Sequence, residues 1–176
     1  MLAARGTSDR DALYAKYLVE TRLGLPCALA SMSTMTQPRV EPGCPTAREG
    51  ALKLMETSYV AAQAFSGEEL LHGPVAMVDE NLPVVVLAPD GRSGELLRPV
   101  LTRLDALRAD VRLVGSTRLA QEFRVSSHVP VRSPDEDSLA PLTDIVPLQR
   151  RALGMAVDRR LDPETPRGLH KVTLTR

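Results

Sequence analysis

Asn81-Leu82-Pro83-Val84-Val85-Val86-Leu87-Ala88-Pro89-Asp90-Gly91 is the stretch on which the fold turns. Pro83 stops any helix running into it, and Pro89-Asp90-Gly91 is turn chemistry. Between them, Val84 to Ala88 is apolar without alternation and starts with β-branched residues. A half-solvated strand alternates apolar and polar residues. A continuous apolar run predicts a strand covered on both faces, as in parallel sheets. Downstream, Leu97, Val100, Leu101, Leu104 and Leu107 recur at helical spacing, which predicts a helix over 94–108. Val111 to Val114 predicts a second strand. Val125 to Val131 predicts a third, with Pro130 marking an end or an edge. A long helix is expected from Ser138 to Arg160, entered or kinked at Pro147. This alternation predicts an α/β fold: a three-layer α/β/α arrangement around a mostly parallel sheet.

Upstream of that stretch, Thr46 with Glu49 three residues later reads as a capping box opening a helix. The helical pattern is nearly free of charge from Gly50 to Phe65, where only Lys53 and Glu56 interrupt it. With Glu49 they stand at i, i+4 and i+7, one stripe of a helix. A salt-bridge ladder on a partly exposed face explains this spacing. So does a paired set of ionisable groups, partly withdrawn from water and suited to proton transfer. His72 follows in Leu70-Leu71-His72-Gly73-Pro74. From Ser31 to Pro45 periodicity fails, and Pro38, Pro42, Gly43 and Pro45 mark a junction. Before it, residues 8–23 predict a helix capped by Ser8, and Pro26 to Ala30 a short strand. Gly6-Thr7-Ser8 is a weak anion-binding candidate at the helix start. Gly91-Arg92-Ser93-Gly94-Glu95 reads as a turn and helix start.

Composition narrows the function. The chain has 176 residues, 43% hydrophobic and 25% charged, with a formal net charge of zero. Such a chain has no electrostatic footprint for nucleic acid or an anionic membrane surface, and neither partner is expected. Aromatics make up 3% and there is no Trp, which disfavours base-stacking platforms. Cys27 and Cys44 are isolated and lack metal-ligand spacing, as expected of thiols in a reducing cytoplasm. No apolar run reaches membrane-spanning length. Among 22 Lys and Arg residues the lysines are Lys16, Lys53 and Lys171, so the near-terminal Lys171 stands out as a possible Schiff-base amine.

Several segments together resemble a known family. Arg5-Gly6-Thr7-Ser8 followed by Tyr14-Ala15-Lys16-Tyr17-Leu18 resembles the start of a sugar isomerase (SIS) domain. Arg48-Glu49-Gly50-Ala51-Leu52-Lys53-Leu54-Met55-Glu56, then Gly67-Glu68-Glu69-Leu70-Leu71-His72-Gly73-Pro74, resembles the second SIS domain of the isomerase half of glucosamine-fructose-6-phosphate aminotransferases. It is similar also to stand-alone sugar-phosphate isomerases and amino-sugar-phosphate deaminases. Val146-Pro147-Leu148-Gln149 and Pro166-Arg167-Gly168-Leu169-His170-Lys171-Val172-Thr173 fit the same pattern.

The resemblance implies roles. Glu56 would shuttle a proton between C1 and C2 of an open-chain sugar. Lys171 would form an imine with, or contact, the ketose carbonyl, and His72 would assist ring opening. Glu49 and Lys53 would orient these groups, while Thr7, Ser8 and His170 would bind substrate. The substrate would be a hexose 6-phosphate or an amino-sugar phosphate, with no metal and no cofactor. The Ser-x-Ser-Gly phosphate loop of the family's first SIS domain has no counterpart here. No glutaminase segment is recognised either, so ammonia made from glutamine within this chain is not expected. The chain therefore reads as a first-domain remnant over 1–36, a junction over 37–44, and a second SIS domain lacking its first strand over 45–176. The expectation is a cytoplasmic homodimer that isomerises or deaminates a sugar phosphate. The alternative is a non-catalytic sugar-phosphate-binding module or an inactive truncated product.

Overall fold

Val84, Val86 and Ala88 point to one side of a strand, and Val85 and Leu87 to the other. Both sides are covered, as the unbroken apolar run predicts. In the computed structural model, which describes Tyr14, residues 43–132 and residues 139–169, this strand is β1, Pro83–Ala88. It pairs in parallel with β2, Asp110–Gly115, which pairs in parallel with β3, Ser127–Pro130. The β1–β2 register runs from Pro83 opposite Asp110 to Ala88 opposite Gly115. Pro83 is tolerated because it opens its strand, and Pro130 because it closes one. The predicted helix over 8–23 and strand at Pro26 to Ala30 lie outside the described residues, except that Tyr14 is helical.

Seven helical elements among the described residues accompany the sheet: α1 (Gly43–Ser58), α2 (Gly67–Leu71), a 3-10 turn (Pro74–Met77), α3 (Arg92–Glu95), α4 (Arg98–Ala106), α5 (Thr117–Glu122) and α6 (Ala140–Asp158). On one face Val86, Ala88, Val111 and Leu113 meet Val100, Leu101 and Leu104 of α4 and Leu119 of α5. Leu101, Leu104, Leu113 and Leu119 are fully buried there, each contributing roughly 1.5–3 kcal/mol through removal from water. On the other face Leu87 and Val114 meet Leu148 of α6, with Ala47 of α1 alongside. The result is the expected three-layer α/β/α order.

Several local readings need correction. The helix expected to open at Thr46 already includes Gly43, so Thr46 is an interior, buried residue and caps nothing. Nor does that helix reach Phe65. It ends at Ser58, and Tyr59 takes a left-handed φ of 52°, a conformation that terminates helices. The helix expected over 94–108 is two pieces. Pro99 has no N–H for the carbonyl of Glu95 and its ring crowds that carbonyl, so the chain restarts at Arg98. Pro147, by contrast, is accommodated inside α6.

The α1–α6 seam matters for the site. A Cβ on Gly50 would lie 2.7 Å from Leu148 Cδ1, and Ser58 Oγ donates to the carbonyl of Ala152 at 3.3 Å. Asp144, one turn before Leu148, is fully buried. Neither of its carboxylate oxygens has a hydrogen-bond partner among the described residues. Burial pushes its pKa from 3.8 up to about 7. The opposite side of α6 exposes Leu142, Val146, Leu153 and Val157. No described helix is long and apolar enough to cross a membrane.

Candidate functional site

The helical spacing of Glu49, Lys53 and Glu56 becomes a contact row on α1. Lys53 Nζ lies 2.9 Å from Glu56 Oε2 and 3.6 Å from Glu49 Oε1. The side chains are graded in exposure: Glu49 7%, Lys53 28% and Glu56 26%. Glu49 therefore sits in the α1 interface while Lys53 and Glu56 reach its rim. Burial alone would lower the Lys53 pKa. The hydrogen bond and charge of Glu56, and then Glu49, outweigh it and hold the ammonium above its ordinary 10.5. A lysine held this way is a fixed cation, not a nucleophilic amine.

His72 is positioned by a neighbouring helix. Ser66 Oγ accepts from the Glu69 N–H at 3.2 Å, and Glu69 Oε2 accepts from the Ser66 N–H at 2.9 Å, a complete capping box. The other oxygen, Glu69 Oε1, lies 3.8 Å from Arg48 Nη2, next to Glu49 on α1. Thus α2 is tied to α1, and His72 caps the C-terminus of α2 with its side chain exposed. No described hydrogen bond joins its ring to the charged row. Sequence reasoning placed a capping box at Thr46 and overlooked the same Ser-x-x-Glu signal at Ser66.

Two further features had no local signal. The Arg167 N–H donates to Tyr59 Oη at 2.7 Å, and the Arg167 guanidinium lies 4.6 Å from the centre of the Tyr59 ring. These contacts bring the segment after α6 to the end of α1. Thr7, Ser8, His170 and Lys171 lie outside the described residues, so the structure brings together Glu49, Lys53 and Glu56 of the expected set.

A separate cavity of about 90 Å³ lies at the start of α1 and along β1, lined by Cys44, Ala47, Ser66, Gly67 and Val84 to Leu87 among others. None of Glu49, Lys53 and Glu56 lines it, and it is far smaller than the roughly 300–1,000 Å³ typical of small-molecule sites. The charged row, not this cavity, carries the candidate chemistry. Among the described residues no group of three or more His, Cys, Asp and Glu side chains is placed to hold a metal.

Comparison with known proteins identifies the family and the fold. The SIS domain family model matches residues 44–157. A glutamine–fructose-6-phosphate aminotransferase (isomerizing) of Thermococcus kodakarensis is 39% identical over 128 residues, covering 72% of this chain and 21% of the relative. The C-terminal domain of glucosamine-fructose-6-phosphate aminotransferase from Francisella tularensis superposes with a TM-score of 0.62 at 31% identity, over 68% of this chain and 34% of that one. Glucosamine-6-phosphate deaminase from Thermotoga maritima gives 0.54 at 27% identity, over 72% of this chain and 36% of that one. The chain thus spans about a fifth of the length of the curated relative and about a third of each solved structure. Over the stretch that holds the charged row, the capping box and the parallel sheet, the chain belongs to the SIS domain family.

Proposed function

We propose that this chain binds a hexose 6-phosphate or amino-sugar phosphate and moves a proton between its C1 and C2, as in aldose–ketose isomerisation or amino-sugar deamination. The observation that carries the reading is the Glu49–Lys53–Glu56 row, carried on the part of the chain matched by the family model. Glu56 is the base: as a carboxylate at the rim, hydrogen-bonded to a fixed ammonium, it takes a proton from one carbon and returns it to the next. Glu49 and Lys53 orient it. Lys171 supplies a neutral amine to the ketose carbonyl, forming a C=N bond with release of water, a role the paired Lys53 cannot fill. His72 assists ring opening, and Thr7, Ser8 and His170 contact the substrate. No cofactor enters the scheme.

Residues 1–36 are read as a remnant of a first SIS domain, 37–44 as a junction and 45–176 as most of a second. A cytoplasmic homodimer is proposed, supported by the apolar stripe that α6 leaves exposed; light scattering at the monomer mass would reject it. The second reading is a non-catalytic sugar-phosphate-binding module or an inactive truncated product: the family's Ser-x-Ser-Gly phosphate loop has no counterpart in this sequence, and its charge-assisted hydrogen bonds are among the strong contacts to a phosphate.

Incubation with fructose 6-phosphate and glucosamine 6-phosphate tests the proposal. Turnover that Glu56→Gln abolishes supports the enzyme. A ligand-induced rise in melting temperature without turnover supports the binding module. Neither response rejects both.

A further inference from the structure

We propose that the outer edge of β1 is a docking site for an extended, uncharged apolar peptide segment of another protein, which joins the sheet as an added strand. The site does not depend on the sugar-phosphate chemistry proposed above.

Parity along β1 identifies the edge. The Ser116 N–H donates to the Ala88 carbonyl at 2.7 Å. In a parallel ladder the residues that bond to one neighbour alternate along the strand. Ala88, Val86 and Val84 therefore turn their N–H and C=O groups to β2, and Val85 and Leu87 turn theirs the other way. The same alternation on β2 sends the carbonyls of Val111 and Gly115 to the β3 side, where they accept from the Ser126 N–H at 2.7 Å and the Val131 N–H at 3.3 Å. β1 ends the described sheet, whose order is β1-β2-β3, and no described backbone hydrogen bond meets the outward groups of Val85 or Leu87. Leu87 is nonetheless only 8% exposed. Buried backbone donors and acceptors are paired in nearly all native structures, and a strand edge is the template that pairs them with another strand.

The cavity beside β1 surrounds this edge. Leu70, Leu97 and Val100 line it, and they belong to the core on the Val84 and Val86 face. Ala47 of α1 lines it too, and packs on the opposite face with Val85 and Leu87. β1 and β2 are joined by their ladder, so a space that touches both faces passes around the outer edge of β1. Helices thus overhang the edge on both sides, and a strand laid there gains apolar cover on both faces. At roughly 15 Å³ per water-sized group, its volume of about 90 Å³ holds about six heavy atoms, which is one or two aliphatic side chains and less than a sugar phosphate.

The lining sets the chemistry of the occupant. No Asp, Glu, Lys, Arg or His is among the described residues around the cavity, so a charged side chain entering it would be desolvated without a partner. The outward groups of Val85 and Leu87 stand two residues apart, the repeat of a β-strand. A helical partner has its own backbone groups engaged and cannot meet them. An extended chain meets them by strand addition.

The test uses the full chain and a fluorescent, capped peptide that carries the 84–88 sequence between two lysines, a segment apolar on both faces. Fluorescence anisotropy reads binding. Two N-methylated versions read strand pairing: one is methylated at the first, third and fifth residues of the copied segment, the other at the second and fourth. One alternation faces β1 and the other faces solvent. One version should therefore bind like the parent, and the other should weaken about 25-fold, the equivalent of two net hydrogen bonds to the Val85 and Leu87 carbonyls. Amide hydrogen exchange in the wild type reads location. Without peptide, Val85 and Leu87 should exchange faster than Val84 and Val86; peptide at ten times its dissociation constant should slow Val85 and Leu87 about tenfold. No anisotropy change, equal affinities of the two methylated versions, or unchanged exchange at Val85 and Leu87 each overturns the proposal. An edge filled in cis or by a second copy would show as protection of Val85 and Leu87 without peptide, dependent on protein concentration in the second case, and also overturns it.

Discussion

Asp144→Asn should make the chain more stable at neutral and alkaline pH and should remove a specific part of its pH dependence. The wild-type side chain is 0% exposed and its pKa rises from 3.8 to about 7. The folded state therefore binds a proton more tightly than the unfolded state does. Below about pH 4 both states hold that proton and the site carries no penalty. As pH rises, the unfolded chain releases it first and folding is progressively disfavoured, until above about pH 7 the penalty is complete. A shift of about three units corresponds to about 4 kcal/mol. The amide cannot ionise, so this slope vanishes, although two unsatisfied donors at the site return roughly 1–3 kcal/mol of cost. Urea unfolding of both proteins at pH 4.5, 6 and 8 measures the difference directly. Carboxylates that lose stabilising partners in acid, such as Asp110, held below its usual pKa by a hydrogen bond from Ser126 and by Arg112, affect both proteins alike and cancel. The gap between wild type and Asp144→Asn should widen from pH 4.5 to 8. Parallel profiles would refute the reasoning and would mean that Asp144 is solvated or paired in the folded protein.

Two further changes test the frame that holds the site. Ser66→Ala removes the acceptor that caps α2 and should cost about 1 kcal/mol in urea unfolding. Gly115→Ala should cost more, about 2 kcal/mol or above: Gly115 has φ +121° and an added Cβ would lie 2.3 Å from the Ala88 carbonyl oxygen, so the β1–β2 ladder must part. Wild-type stability in Gly115→Ala would exclude the register described here.

The parallel sheet was legible because Val84 to Ala88 pays no attention to periodicity: residues buried on both faces need no alternation, and few other structures tolerate that. The charged row was legible because helical geometry maps i, i+4 and i+7 onto contacts without any tertiary information. The end of α1 was not. Tyr59 has no intrinsic preference for a left-handed φ, and the conformation coincides with its contacts to Arg167, a residue 108 positions away. The break before Arg98 was readable from Pro99, yet the strong leucine spacing through 94–108 masked it. Asp144 follows an apolar and hydroxyl-bearing turn, and its spacing alone cannot distinguish burial from exposure. That distinction depends on α1 lying across it.

Glu69 divides its two oxygens between the Ser66 N–H and Arg48. One carboxyl group is thus a shared hinge pin for two helices, one bearing the acid–base row and the other ending at the imidazole of His72. The Ser66 bond fixes the start of α2 and the Arg48 ion pair leans that helix on α1, a contact worth up to about 1 kcal/mol at a partly exposed site. Shortening the pin, as in Glu69→Asp, would loosen both fittings together, so one substitution reaches the cap of α2 and its lean on α1 at once.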